Sequence, residues 1–335
     1  MKWITVFLYS ISTLALSQPL SWQRIDAGTN SSFRALSVVS DDIAWLGGTN
    51  GTVGLSTDGG KTWKFQTVSG MEKADFRSIY GFDGNKALIA NVGSPAYILV
   101  TTDGGNSWRE VYKNDDPDAF IDGVDFWNDK EGLFYGDPIN GQMLMVQTND
   151  GGTTWKKVST APQLKEGEAS FAASGTGIRC LGKKSVFIAT GGKTSRVFFS
   201  PDKGKNWQSV APPIIQGESA TGIFSLSANN KSEITIVGGD YQRDTLKVNH
   251  VFYTLDGGKN WKYPQSPTRG YRECVEFINP TVAIAVGPTG IDVTNDGGKS
   301  WEPLSDERGF HVARKARNGN RVIAAGAKGA IAIMK

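Results

Sequence analysis

The sequence predicts an all-β fold, a seven-bladed β-propeller formed by residues 18–335 as one domain, and three observations predict it. An octapeptide of the form Ser/Thr-x-Asp-x-Gly-x-(Thr/Ser/Asn)-Trp recurs six times. Its terminal tryptophans, Trp63, Trp108, Trp155, Trp207, Trp261 and Trp301, lie 45, 47, 52, 54 and 40 residues apart, the period of one four-stranded blade. A further tryptophan, Trp22, stands 41 residues before Trp63 without a box of its own.

Each box follows an apolar run, such as Tyr97-Ile-Leu-Val100 or Met143-Leu-Met-Val146, and precedes a short alternating segment such as Trp155-Lys-Lys-Val158. Strand, Asp-Gly turn, strand is a strong hairpin signal. Glycine supplies the positive φ of the turn, and the aspartate accepts hydrogen bonds from the turn's backbone. The box Ser200–Trp207 is the least regular, with Lys203 in place of the first glycine.

Inner strands are expected to start at Phe33, Phe76 and Phe120, near Gly177 and Gly222, then at Tyr271 and Phe310. The seventh unit runs through Val322–Ala325 and Ala330–Ile333 and stops without a box or an outer strand. Ser21-Trp22-Gln23-Arg24 supplies the missing strand, so the N-terminal strand completes the last blade and no inner edge is left open. No apolar stripe of helical period follows the first residues.

Residues 1–17 are expected to be an export signal. Lys2 gives a positive start, Trp3 to Leu16 is mostly apolar, and Ala15-Leu16-Ser17 offers small residues for cleavage after Ser17. The run is shorter than the roughly 20 residues of a spanning helix, contains no lipobox cysteine, and no later segment is long and apolar enough to span. A secreted or periplasmic monomer is expected. The net charge of +3 is too balanced to point to nucleic acid. Two histidines and two cysteines show no zinc spacing. The acidic run Asp115–Asp118 reads as a solvated loop more readily than a calcium site. Gly175-Thr176-Gly177 lacks the third glycine of a nucleotide fingerprint, and there is no Gly-x-Ser-x-Gly elbow. No cofactor and no metal are expected. Cys180 and Cys274 fall on inner strands of separate blades, where free thiols are favoured over a bridge.

A second repeat is visible at the starts of the inner strands. Arg34, Arg77, Arg179 and Arg272 each follow an aromatic or aliphatic residue, and His311 takes that place in the seventh unit. These are the candidate binding residues. They would ring one mouth of the channel and offer planar donors to a carboxylate, phosphate or sulfate. The alternative is pairing with nearby acids such as Asp75, Asp122 and Glu273 to fill the channel wall. Asp240 and Tyr241, in the longest loop between second and third strands, are further candidates, with Asp137, Glu166 and Glu168 in corresponding loops.

The six octapeptides match the Asp-box (BNR) repeat, a resemblance that implies a structural role at the blade periphery for the box residues. Over nearly its whole length the sequence resembles the photosystem II assembly and stability factor propellers and their non-photosynthetic bacterial homologues. That resemblance implies a non-catalytic, exported protein with an arginine patch that contacts partner proteins, carried here by Arg34, Arg77, Arg179 and Arg272. A fainter resemblance is to sialidases, which share the box and use an arginine triad with a tyrosine–glutamate pair. Phe33-Arg34-Ala35-Leu36 is similar to the start of their Phe/Tyr-Arg-Ile-Pro motif, but the Ile-Pro half is absent and sialidase propellers have six blades. The alternative function is therefore glycan binding or glycoside hydrolysis, for which Tyr271 and Glu273 are the nearest match to a nucleophile pair.

Overall fold

A computed structural model describes residues 20–335; the expected signal at residues 1–17 lies outside the described residues. Seven antiparallel sheets follow one another in sequence order. Blade 1 consists of Phe33–Val38, Ala44–Gly48, Thr52–Ser56 and Lys64–Thr67. Blades 2, 3, 4 and 6 repeat the four-strand pattern from inner strands Phe76–Gly81, Ile121–Phe126, Ile178–Leu181 and Cys274–Phe277. Blade 5 runs Thr221–Ala228, Ile234–Asp240 and Val251–Thr254, with its outer position reduced to a bridge between Tyr253 and Lys262. Each inner strand packs against the next, and the inner strand of blade 1 packs on that of blade 7, which closes the ring.

Six of the seven second strands are buried along their whole length, for example Ala87–Asn91 and Ser185–Ala189. They read as continuous apolar runs because each lies between two neighbouring blades. Polar residues of the inner strands tie blade to blade. Ser37 Oγ accepts the Gly81 amide at 3.0 Å, Asp125 Oδ2 the Cys180 amide at 2.7 Å, and Ser227 Oγ the Phe277 amide at 3.1 Å. The described helix is a single short turn, Ala327–Gly329, and no described helix is long and apolar enough to cross a membrane.

Blade 7 is built as expected from both ends of the sequence. Phe310–Lys315, Val322–Gly326 and Ile331–Met334 are completed by Trp22–Ile25, with Trp22 opposite Met334 and Ile25 opposite Ile331. Trp22 stacks on Phe310 at 6.3 Å.

The boxes sit at the end of each third strand. In the first, Gly60 N–H donates to Ser56 Oγ at 2.8 Å, and Thr62 donates its amide at 2.9 Å and its hydroxyl at 2.7 Å to the Asp58 carboxylate. Trp63 Nε1 closes the turn on Gly60 O at 3.0 Å. The same amide-to-hydroxyl bond recurs at Thr101, Thr148, Ser200, Thr254 and Thr294. Lys203 adopts φ +61°, the left-handed conformation glycine supplies in the other boxes, at a steric cost of about 1 kcal/mol. Val38 faces Ala44 and Ala44 faces Ser56, whereas Phe33 faces Gly48 at the other end of the blade. The boxes therefore occupy the face opposite the starts of the inner strands.

Trp22→Ala should lower unfolding free energy in urea by about 2–3 kcal/mol through lost burial and stacking. Deleting residues 20–25 should in addition produce soluble aggregates by light scattering, because Ile331–Met334 becomes an open edge. Hydrogen bonds from the turns hold Asp103, Asp202 and Asp256 down to about 2, and oppose burial to the same result in Asp150. Their stabilisation is complete above the ordinary carboxylate range and is lost as pH falls from about 4 toward 2. An acid titration followed by circular dichroism should show cooperative unfolding within that window.

Candidate binding site at the channel mouth

Five inner strands carry a register shift near their start, between Phe33 and Ala35, Phe76 and Ser78, Ile121 and Gly123, Ile223 and Ser225, and Phe310 and Val312. A bulge re-aims the residue inside it. The residues inside these bulges are Arg34, Arg77, Asp122, Phe224 and His311. Arg34, Arg77 and His311 thus stand in equivalent places, as the sequence pattern suggested.

The other two arginines do not join them. In blade 6, Cys274 faces Val286, and the backbone of Tyr271 approaches Gly287 as that of Ser32 approaches Gly48. Glu273, not Arg272, therefore holds the bulge position. Arg272 lies inside the wall at 0% exposure, paired through Nη2 with Asp292 at 2.5 Å and through Nη1 with Thr289 at 2.7 Å. In blade 4, Arg179 faces Phe187, three residues deeper than Arg34, and pairs with Glu276 of blade 6. The expected ring of four arginines is in fact two arginines at the mouth, one deep in the channel and one in the wall.

The mouth charges are paired, two of them between blades and one within a blade. Glu273 Oε2 accepts Arg34 Nη1 at 2.5 Å and meets His311 Nδ1 at 2.8 Å. Arg77 Nε pairs with Asp75 at 2.7 Å. Both Arg34 bonds use Nη1, the second going to Ala173 O at 2.8 Å, so neither Nε nor Nη2 is spent on a protein acceptor.

Ala173 belongs to the feature that sequence reasoning missed. The connection between blades 3 and 4 does not skirt the rim; residues 171–176 cross the channel. Ser174 Oγ donates to Glu273 O at 2.7 Å, Arg314 Nη2 reaches Gly175 O at 3.3 Å, and Leu226 N–H donates to Thr176 O at 3.1 Å. Gly175 is held at φ +63°, and a Cβ there would stand 3.1 Å from Arg77 O. This plug contacts blades 1, 2, 5, 6 and 7. Its small residues, Ala-Ala-Ser-Gly-Thr, are what a crowded axis admits; their sequence signature is indistinguishable from an ordinary loop.

Above the plug lies a cavity of about 490 Å³. One wall is aromatic: Phe171 stacks on Phe224 at 3.7 Å, with Tyr271 edge-on at 4.7 Å and Tyr241 at 6.2 Å. Arg34 and Arg77 line the same cavity. Tyr241 is 48% exposed at the rim. Asp240 is buried and accepts Arg243 Nε at 2.6 Å, which folds the loop that presents Tyr241. Glu168 is buried beneath Arg196 and Thr190, a structural pairing. Tyr271 is also buried, and burial followed by the Glu273 charge pushes its hydroxyl well above the usual range, the reverse of an activated nucleophile. Cys180 and Cys274 are free thiols.

The model of the family described as photosynthesis system II assembly factor YCF48 matches residues 14–117 and 92–211, more than half of the sequence. The chain belongs to the YCF48 family. It is similar to the photosystem II assembly lipoprotein Ycf48 of Synechococcus sp. (strain CC9902), 21% identical over 314 residues that span 92% of this chain and 86% of that one. It is also similar to a sialidase of Bacteroides fragilis (strain YCH46), 24% identical over 295 residues, 75% of this chain but 48% of the sialidase. Among solved structures, YCF48 bound to D1 peptide superposes with a TM-score of 0.68 at 18% identity, over 97% of this chain and 99% of that one. At that identity the superposition speaks for the fold.

Beside the mouth, Asp122 is fully buried with neither carboxylate oxygen bonded, and the buried Tyr135 hydroxyl is likewise unpartnered. Burial, then the charge of Asp137, push Asp122 well above the carboxylate range, against the pull of Arg77. Burial also raises Asp137 to about 6, opposed by the Ser170 amide it accepts. A raised pKa means the folded state holds its proton more tightly. The stabilisation is full below about pH 4 and is lost as pH rises through about 6. Asp137→Asn keeps an acceptor for Ser170 and removes the charge. It should stabilise the protein by up to about 3 kcal/mol at pH 8 and by nothing at pH 4, measured by urea unfolding. An equal gain at both pH values would contradict the assignment.

Proposed function

We propose that this member of the YCF48 family is an exported, non-catalytic assembly or stability factor whose mouth cavity holds a short segment of a partner protein. The observation that carries this reading is the two-sided chemistry of the cavity. The Phe171, Phe224, Tyr271 and Tyr241 wall offers apolar faces, while Arg34 and Arg77 offer guanidinium donors in the same space. The complementary ligand is an extended segment with an apolar or aromatic residue near a carboxylate, either that of an acidic residue or a free C-terminal one. A rigid rim and a plugged floor favour such recognition because little ordering is required on binding. The relative solved with a D1 peptide supports a peptide ligand, and the lipoprotein name of the Synechococcus relative supports export, with removal of residues 1–17. The protein acts as a monomer. Glycoside hydrolysis has less support, since Tyr271 is buried and Glu273 is shared between Arg34 and His311.

The test is a peptide library displayed with free or amidated C-termini, probed with wild type, Arg77→Ala and Tyr241→Ala. Neither residue anchors the plug, so both variants should fold. Selected peptides should carry a carboxylate within a few residues of an aromatic, and each variant should weaken binding about tenfold, the loss of a charge-assisted bond or of aromatic burial. Selected peptides that bind both variants as tightly as wild type would rule out this cavity as the partner site. Turnover of sialosides or aryl glycosides by the purified protein would overturn the non-catalytic reading.

A further inference from the structure

Below the plug, a second and smaller cavity of about 60 Å³ opens toward the box face and shares no lining residue with the mouth cavity. Its charges do not balance. The guanidinium groups of Arg179, Arg314 and Arg317 line it against only Asp125 and Glu276. Both carboxylates are already committed. Asp125 accepts the amides of Phe126 at 2.9 Å and Cys180 at 2.7 Å. Glu276 Oε1 accepts the Lys315 amide at 3.2 Å, and its Oε2 pairs with Arg179 while standing 3.7 Å from Arg314 Nη1. Arg317 is spent on neutral acceptors, Ser37 Oγ at 2.9 Å and Gly81 O, with its guanidinium 4.1 Å above the Tyr80 ring. One carboxylate is thus shared by two guanidinium groups. Two buried donors, Arg179 Nε and Arg314 Nη1, have no hydrogen-bond partner. Burial, and next the charge of Arg179, press the Arg314 pKa downward, while against burial the Glu276 and Asp125 charges hold that of Arg179 up, so Arg314 is the less compensated of the two.

Unpaired buried donors and an excess of positive charge both disfavour the folded state unless something supplies a negative charge. The space exceeds what a single water needs, about 10–15 Å³ by the same measure, but is too small for a peptide. We propose that this inner cavity is a binding site for one small inorganic anion, chloride in particular, held between Arg179 Nε and Arg314 Nη1. The site ties blades 4, 6 and 7 together beneath the plug. It is reached from the box face, and it stands whether or not the mouth binds a partner.

Crystals of the full protein soaked in sodium bromide test the position. An anomalous peak within hydrogen-bonding reach of both nitrogens is expected. In solution, the thermal midpoint should rise by about 2–4 °C between trace and tenfold-saturating chloride when gluconate holds ionic strength constant. Arg314→Met should abolish both the peak and the chloride response. Since that variant could fail to fold, Glu276→Gln provides the second arm. It removes the competing carboxylate and should shift the chloride response to roughly tenfold lower concentration. The proposal is overturned if only water occupies the cavity, if chloride and gluconate give the same midpoint, or if folded Arg314→Met keeps the response. A Glu276→Gln response unchanged in midpoint concentration would also overturn it.

Discussion

Seven inner strands converge on one axis, and each delivers residues into the space they share. Charges brought there are best met by charges from other blades, because an unpaired ion at that depth costs several kcal/mol. Arg34 of blade 1 and His311 of blade 7 share Glu273 of blade 6. Lower down, Arg179 of blade 4 and Arg314 of blade 7 share Glu276, again from blade 6. Segment 171–176 is held by the same groups, through Arg34 on Ala173 and Arg314 on Gly175. Ion pairing between blades thus helps to fix the plug, and the plug divides the channel into two cavities of different chemistry.

The division of labour between faces follows. The box face carries turns whose polar atoms are satisfied locally, Ser56 and Asp58 by Gly60 and Thr62. They hold hairpins and present little to a ligand. The opposite face carries the bulges, which turn single residues out of the ladder. There the wall is aromatic on one side and cationic on the other, and the long loop after Asp240 brings Tyr241 over it.

Architecture was legible because it repeats. Six boxes set the period, and Trp22 at one further period revealed how the last blade closes. The site was legible only in part. A bulge adds one residue to a strand, so alignment by the first aromatic–arginine pair holds for Arg34 and Arg77 but misplaces Arg272 by one residue and Arg179 by three. A better marker was present in glycines of the second strands. A Cβ at Gly48, Gly136, Gly238, Gly287 or Gly326 would stand between 1.8 and 2.8 Å from a carbonyl oxygen at the start of the inner strand. Counting from Gly287 places Glu273 at the mouth. Segment 171–176 had no such marker, since Ala, Ser and Gly suit both a crowded axis and an open loop. Its path depends on partners distant in sequence, such as Glu273.

The most direct test of the account is amide hydrogen exchange at Leu226, whose N–H donates to Thr176 O inside the channel. If residues 171–176 cross the axis and are locked by the shared ion pairs, this amide exchanges only with global unfolding, among the slowest in the protein. Exchange at the rate of an exposed loop would contradict the plug, and with it the separation of the two cavities.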